Sequence, residues 1–380
     1  MDFAPTADQR EYCAVISDLA TALPPPRAGE DGVVRFDQEA WRRCAEAGLL
    51  GLTVPAEYGG GGADALTAAL AMEALGQGCR DSGLMFSLNA QMWAAQHPIA
   101  RFGSAEQKQR YLPALCGGEL IAAHGMTEPG SGSDAFALRT SAVRDGDKWR
   151  LTGSKLFVTN APVAGLFVVF ASTDRNRGFA GLTAFLVPRD TPGLSVGPDE
   201  RKLGLHGSPM AQVFLDDCVL AADALLGKPG GGAAVFLSSM DWERTLILAC
   251  VVGAMARQLA ETVAFAKERE QFGHPIGEFQ AVSHKVAAMR LRLESARLLV
   301  RRAAWALDHR DDPRLHGALA KLAVSESYVA SSLDALQIRG GSGFLAESGL
   351  GQELLDAVGS RLYSGTSETL MNLVAKKVGL

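Results

Sequence analysis

Residues 279–307 read FQAVSHKVAAMRLRLESARLLVRRAAWAL, and Phe279, Val282, Val286, Met289, Leu293, Ala296, Val300, Ala303 and Leu307 recur in steps alternating between 3 and 4. That spacing keeps one apolar seam facing a partner helix, which is the packing of a helix bundle. Asp311-Asp312-Pro313 closes this helix, because proline cannot continue the hydrogen-bond ladder. A further helix is expected from Arg314 to about Gln337, and the chain is expected to be helical from Gly230 onward.

Upstream the pattern changes. From about Ile121, short apolar runs alternate with glycine and proline, the signal of strands and turns. Gly165 to Ser172, Gly181 to Val187 and Gln212 to Val219 read as strands, and Lys148 to Thr159 reads as strand–turn–strand about Gly153. No strand alternates with a long helix, so a parallel Rossmann sheet is not expected. The first third reads as helices: Phe36 to Ala47 ending at Gly48, Ala65 to Leu75 capped by Asp64, and about Gly83 to Phe102 ending at Gly103. The order is α, then β, then an α bundle.

The 380 residues suit two to three domains. With 37 Lys+Arg against 42 Asp+Glu the net charge is −5, which argues against nucleic acid or an anionic membrane as the main partner. The apolar run Leu246 to Ala256 is too short to span a bilayer, so no membrane insertion is expected. The N-terminus, Met1 to Pro5, lacks the basic start and apolar run of a secretion signal. The six cysteines and seven histidines are scattered, without metal-ligand or disulfide spacing, so no metal is expected. A soluble, cytoplasmic protein is the expectation.

Three segments carry candidate chemistry. Met126-Thr127-Glu128-Pro129-Gly130-Ser131-Gly132-Ser133-Asp134 is a loop rich in backbone N–H groups and hydroxyls, suited to a pyrophosphate or a polar ring edge; the competing reading is a solvent turn. Ser238 and Asp241 have capping-box spacing and place a helix start there, with Glu243 on one face with Leu246, Ile247 and Cys250. A carboxylate heading an apolar stripe is desolvated and becomes a stronger base, unless it is only a first-turn acid favoured by the helix dipole. The third comprises the glycine-rich breaks Ile338 to Phe344 and Tyr363 to Glu368, which alone mean tight turns.

Taken in order, Met126 to Asp134, Phe157-Val158-Thr159-Asn160, Arg269-Glu270-Gln271-Phe272-Gly273, Gln337 to Gly341 and Gly365-Thr366-Ser367 resemble the acyl-CoA dehydrogenase family along essentially the whole chain. The resemblance implies an α+β multidomain fold: an N-terminal helical domain (1–119), a central antiparallel, barrel-like β domain (120–228) and a C-terminal four-helix bundle (229–380). It implies non-covalent FAD and a homo-oligomer, usually a tetramer or dimer. Met126 and Thr127 should contact the isoalloxazine, Gly132 and Ser133 the pyrophosphate region, and Phe157 and Thr159 the ring near N5. Arg269, Gln271, Gln337 and Gly341 should reach the FAD of a neighbouring subunit, with Thr366 and Glu368 finishing the adenine side. Ser133, Asp241, Arg244, Tyr363, Ser364 and Gly365 are the implied substrate contacts.

One departure matters. Most of the family carries its catalytic glutamate immediately before Gly-Thr-Ser, where this chain has Ser364. A minority branch that includes isovaleryl-type enzymes places it in an Asp-x-Glu-Arg setting, matched by Asp241-Trp242-Glu243-Arg244. Glu243 is therefore the expected α-proton base, with hydride leaving to flavin N5. The enolate would be held by a flavin ribityl hydroxyl and the Gly365 N–H.

Ser238 to Arg244, Phe272 to Gly277, Gln280 to His284, Leu291 to Arg297 and Tyr363 to Ser367 are most similar to the subgroup that oxidises prolyl groups on peptidyl or acyl carrier proteins toward pyrroles in natural-product pathways. Arg290, Arg292, Arg297, Arg301 and Arg302 offer a basic face for an acidic carrier, or else a solvated face or subunit interface. The alternatives are a short or branched-chain acyl-CoA dehydrogenase of catabolism and a thioester-binding flavoprotein without catalysis. The electron acceptor is expected to be an electron-transfer flavoprotein or O2.

Overall fold

The computed structural model describes residues 4–380; Met1 to Phe3, on which part of the secretion-signal expectation falls, lie outside the described residues. The N-terminal region contains α1 (Ala7–Ala22), α2 (Gln38–Glu46), α3 (Ala65–Gly78) and α4 (Ser82–Asn89). A π-helical segment, Ala90–Gln96, carries α4 directly into α5 (His97–Phe102), and α6 (Ala105–Cys116) follows. Asp64 caps α3 as expected, accepting from the Thr67 N–H at 2.7 Å, and Asp81 caps α4, accepting from the Leu84 N–H at 2.9 Å.

The middle region is an eight-stranded sheet built from β1 (Ala122–Gly125), β2 (Ser141–Asp145), β3 (Lys148–Thr159), β4 (Leu166–Ser172), β5 (Leu182–Pro188), β6 (Leu194–Val196), β7 (Met210–Ala221) and β8 (Leu225–Leu226). The order is β6-β7-β3-β2-β4-β5-β8, with β1 laid parallel against β4. The sheet is therefore mixed, where an antiparallel one was expected. The expected turn at Gly153 is also absent. β3 runs through it as one strand whose register against β7 shifts there. A Cβ on Gly153 would meet Thr140 Oγ1 at 2.4 Å, so the glycine marks a bulge with close backbone approach.

The C-terminal region holds α7 (Gly232–Leu246), α8 (Ala249–Glu268), a small hairpin β9 (Glu270–Gln271) and β10 (His274–Pro275), α9 (Gln280–His309), α10 (Pro313–Arg339), α11 (Leu350–Ser360) and α12 (Ser367–Lys377). The quoted seam faces inward: Met289, Leu293, Ala296, Val300 and Ala303 are buried on α9. Helices α3 and α8 cross so closely that a Cβ on Gly76 would lie 1.7 Å from the Cys250 carbonyl oxygen. The N-terminal helices and the bundle consequently share one apolar core.

Two expectations for α7 need correcting. The helix does not start at Ser238 but after Gly231, because Gly230, with φ +73°, breaks the chain and Ala233 to Leu237 then pack as helix. It also ends at Leu246, so Cys250 belongs to α8. The stretch Gly232–Glu268 is long and apolar enough, by composition, to cross a membrane, contrary to the shorter run counted from the sequence. The structure breaks it into two helices, with 78% of its most apolar window buried inside the protein.

Candidate active site

Glu243 lies on the buried face of α7, in the interior of the fold rather than in a first turn. Its Oε1 accepts a hydrogen bond from the Ser364 hydroxyl at 2.5 Å, and its Oε2 has no partner among the described residues. Burial pushes the Glu243 carboxyl above its ordinary range; the Ser364 hydroxyl, Arg244 and Lys321 pull it back only in part.

Ser364 is held in a left-handed conformation, φ +56°, followed by Gly365 at φ +102°. Two cations fix this turn. Arg244 Nε donates to the Ser364 carbonyl at 3.0 Å, and Lys321 Nζ donates to the Gly365 carbonyl at 2.7 Å. Lys321 is fully buried on α10; desolvation and the nearby Arg244 depress its pKa to about 8, against the opposing effect of Glu243. The Gly365 N–H takes no backbone acceptor among the described residues. Tyr363 packs against Phe86 with ring centroids 4.5 Å apart. Beside them a small, mainly apolar cavity is lined by Met85, Phe86, Ile247, Cys250, Tyr328 and Tyr363. The opposite flank of α7 is propped by His97, which stacks on Trp242 at 4.6 Å and lies 3.3 Å from the Ser238 hydroxyl.

The second cluster forms where Met126 to Ser133 meets β3. Glu128 and Ser131 exchange backbone hydrogen bonds, closing a turn that leaves Gly130, Gly132 and Ser133 exposed and roomy enough that a Cβ on either glycine would meet nothing within 4 Å. The Leu156 N–H donates to the Thr127 carbonyl at 2.8 Å, so the loop and the Phe157–Thr159 end of β3 are one unit. Beneath it, buried Lys155 pairs with Glu128 at 2.7 Å. Burial opposes ionisation of Glu128, but Lys155 and the Arg139 and Thr140 N–H groups still hold it below the usual carboxylate range. Phe157 is 58% exposed at φ +56°, an aromatic face held outward beside buried Met126. An apolar wall joined to a polar, unfilled turn fits a flavin ring with its phosphate-bearing chain.

Other expected residues lie elsewhere. Asp241 is engaged by Arg314 at 3.2 Å. Thr366 caps α12 by accepting from the Thr369 N–H, and Glu368 is exposed in the first turn of that helix. Arg269, Gln271, Gln337 and Gly341 are exposed near one end of the bundle, where Arg339 sits 4.9 Å over the Phe265 ring. Phe272 and Phe344 are 91% and 85% exposed nearby in the chain. The basic face expected on α9 is largely engaged: Arg292 pairs with Asp334, Arg297 and Arg301 with Glu73, Arg302 with Asp311, and Arg290 with Glu294. Lys321 and the Glu128–Lys155 pair were missed from sequence. The one cue for Lys321 was a lysine spaced among Gly317, Ala318, Val324 and Ser325 on an inward-facing stripe.

Three family models cover nearly the whole chain: acyl-CoA dehydrogenase N-terminal domain over residues 6–119, middle domain over 123–218 and C-terminal domain over 230–379. The chain belongs to the acyl-CoA dehydrogenase family. Among the family's members it is 43% identical over 381 residues, 100% of both chains, to an L-prolyl-[peptidyl-carrier protein] dehydrogenase of Pseudomonas fluorescens. It is 42% identical over 334 residues, 88% of this chain and 81% of the other, to the mitochondrial short-chain specific acyl-CoA dehydrogenase of Homo sapiens. The solved structure of PigA with FAD and proline superposes with a TM-score of 0.95 at 38% identity, covering 100% of both chains.

Proposed function

We propose that this acyl-CoA dehydrogenase family member uses FAD to dehydrogenate an L-prolyl group carried as a thioester on a peptidyl carrier protein, with Glu243 as the α-proton base. The observation that carries the proposal is the unpartnered Oε2 of buried Glu243, set beside the Tyr363–Gly365 turn and a small apolar cavity. Full-length similarity to a prolyl-carrier dehydrogenase, and to a structure holding FAD and proline, supports the substrate.

Bound against Met126, Thr127, Phe157 and Thr159, with Ser133 toward its pyrophosphate, the flavin supplies the hydride acceptor. The protein does the rest. Glu243 Oε2 takes the α-proton; desolvation makes the carboxylate a better base, while the Ser364 hydroxyl and the two neighbouring cations keep it ionised enough to act. Arg244 and Lys321 occupy the carbonyls of Ser364 and Gly365, which orients the turn and leaves the Gly365 N–H to donate to the thioester oxygen as negative charge develops there. Six unpaired cysteines suit a reducing, cytoplasmic setting. Arg269, Gln271, Gln337 and Gly341 would complete the site across an interface in a homotetramer or dimer, and the electrons would pass on to an electron-transfer flavoprotein or O2.

Anaerobic mixing with prolyl-loaded carrier protein and, separately, with isovaleryl-CoA tests the reading. Bleaching of the oxidised flavin by the prolyl carrier, lost in Glu243→Gln, is the expected result. Bleaching by the CoA ester alone would give the catabolic reading, to which the 42% identity with the short-chain enzyme lends weight.

A further inference from the structure

At the far end of α7 from Glu243 the chain builds a basic and aromatic rim. Phe236, Met240 and Glu243 fall on one face of this helix, at i, i+4 and i+7. Seven residues at 1.5 Å each put Phe236 about 10 Å from the level of the base. Phe236 meets Phe136 edge-on at 5.9 Å, and Phe136 begins a shallow cavity shared with Arg139, Ser172, Arg175 and Gly178. Arg175 Nη2 donates to the Arg139 carbonyl at 2.8 Å, which ties the two loops together. Arg139, Arg175 and Arg177 are all exposed, and among the described residues none of them is salt-bridged to a carboxylate, unlike the α9 arginines and Arg150. The acids nearest in sequence are Asp174, whose side chain accepts from the Asn176 N–H, and Asp134. Lys228 lies two residues before Gly230, whose Cβ position approaches the Ala180 carbonyl, so it adds positive charge on the same side. Phe179 stands 66% exposed in the middle of the patch.

We infer that this rim, Phe136, Arg139, Arg175, Arg177 and Phe179, is the docking surface for an acidic carrier protein whose phosphopantetheine arm runs along the Phe236–Met240 face of α7 to Glu243. The inference rests on the carrier-bound substrate proposed above. Unpaired arginines around an exposed phenylalanine complement an acidic helix with apolar residues, and long-range attraction raises the encounter rate. The α9 arginines cannot serve equally, since their charge is already neutralised within the chain.

The test compares the prolyl carrier protein with prolyl-pantetheine, the detached arm, in the triple variant Arg139→Ala, Arg175→Ala, Arg177→Ala. A second variant, Arg177→Glu, reverses a charge while keeping the Arg175 hydrogen bond to the Arg139 carbonyl that ties the two loops. Expected is a loss of about tenfold or more in kcat/KM for the carrier, carried by KM, with a shallower salt dependence. Turnover of prolyl-pantetheine and flavin content should stay unchanged. Unchanged carrier kinetics in both variants would remove the docking site alone. A loss confined to CoA thioesters would reassign the arginines to a nucleotide phosphate and also overturn it. If the unaltered enzyme does not oxidise the prolyl carrier at all, the substrate reading fails and the docking site falls with it.

Discussion

The Ser364 hydroxyl donates to Oε1 of Glu243 across 121 residues of sequence, while Oε2 of the same carboxylate is left without a partner. One oxygen is thereby anchored and the other is free to work. In the proposed mechanism Ser364 would serve as the hydrogen-bond donor to the base. Because this bond favours the ionised form, Ser364→Ala should raise the Glu243 pKa further. A base is active when deprotonated, so the acidic limb of the kcat/KM profile should move to higher pH. Reductive half-reaction rates measured across pH check this; an unmoved limb would show that Ser364 does not tune the base.

Glu243→Gln keeps the shape of the side chain and removes its proton affinity. Flavin reduction by the competent thioester should slow by roughly 10²–10⁴-fold, the usual worth of a positioned general base. The flavin spectrum and its binding should be retained, because the Met126–Ser133 turn does not touch this side chain. Stopped-flow absorbance provides the comparison, and a rate within a few-fold of the unaltered enzyme would dismiss Glu243 as the base.

Lys321→Met should act on both chemistry and stability. Loss of the donor to the Gly365 carbonyl frees the turn, and loss of the nearby cation raises the Glu243 pKa, so kcat should fall and the acidic limb should move up. The stability effect has the opposite sense. With a folded pKa of about 8 against an ordinary value of 10.5, Lys321 holds fewer protons folded than unfolded between those limits. Its burial penalty is therefore full below pH 8 and is relieved as pH rises toward 10.5, by about 3 kcal/mol at most. Denaturation midpoints should rise between pH 8 and 10 in the unaltered protein, and less steeply in the variant.

The α9 seam, the Asp64 cap and the strands Leu166–Ser172 and Leu182–Pro188 were legible because each rests on local pattern: a helical period, a cap residue, a continuous apolar run. The start of α7 was not. Ser238 and Asp241 have a capping spacing, yet Ser238 sits mid-helix near His97, a contact 141 residues away that no local rule reveals. Gly153 misled for a related reason, since bulge and turn look alike until the Thr140 backbone approaches. In the candidate site, the burial of Glu243 was legible from its place on an apolar stripe. Lys321 and the Glu128–Lys155 pair were not, because a lone buried cation is defined only by the partner that tertiary structure brings to it.

That last pair is the most direct test of how the loop proposed to hold the flavin is anchored. Glu128 accepts from Lys155 at 2.7 Å and from the Arg139 and Thr140 N–H groups at 2.5 and 3.0 Å, so one carboxylate fixes both ends of the segment containing Gly132 and Ser133. Its folded pKa lies below the ordinary value, so the stability it contributes is present above that value and is lost as pH falls through the folded pKa. Glu128→Gln keeps the size but strands the Lys155 cation in the interior, where desolvation already lowers its pKa to about 8. The expected cost is about 3–5 kcal/mol, with weaker flavin retention because the turn loses its anchor. Replacing both residues, Glu128→Gln with Lys155→Met, should recover much of the stability, since no buried charge is then unpaired, but not the full flavin affinity. Thermal midpoints of the flavin-free proteins and FAD titrations separate the two effects. Equal stability of the Glu128→Gln single variant and the unaltered protein would mean that Lys155 finds another partner or gives up its proton at little cost.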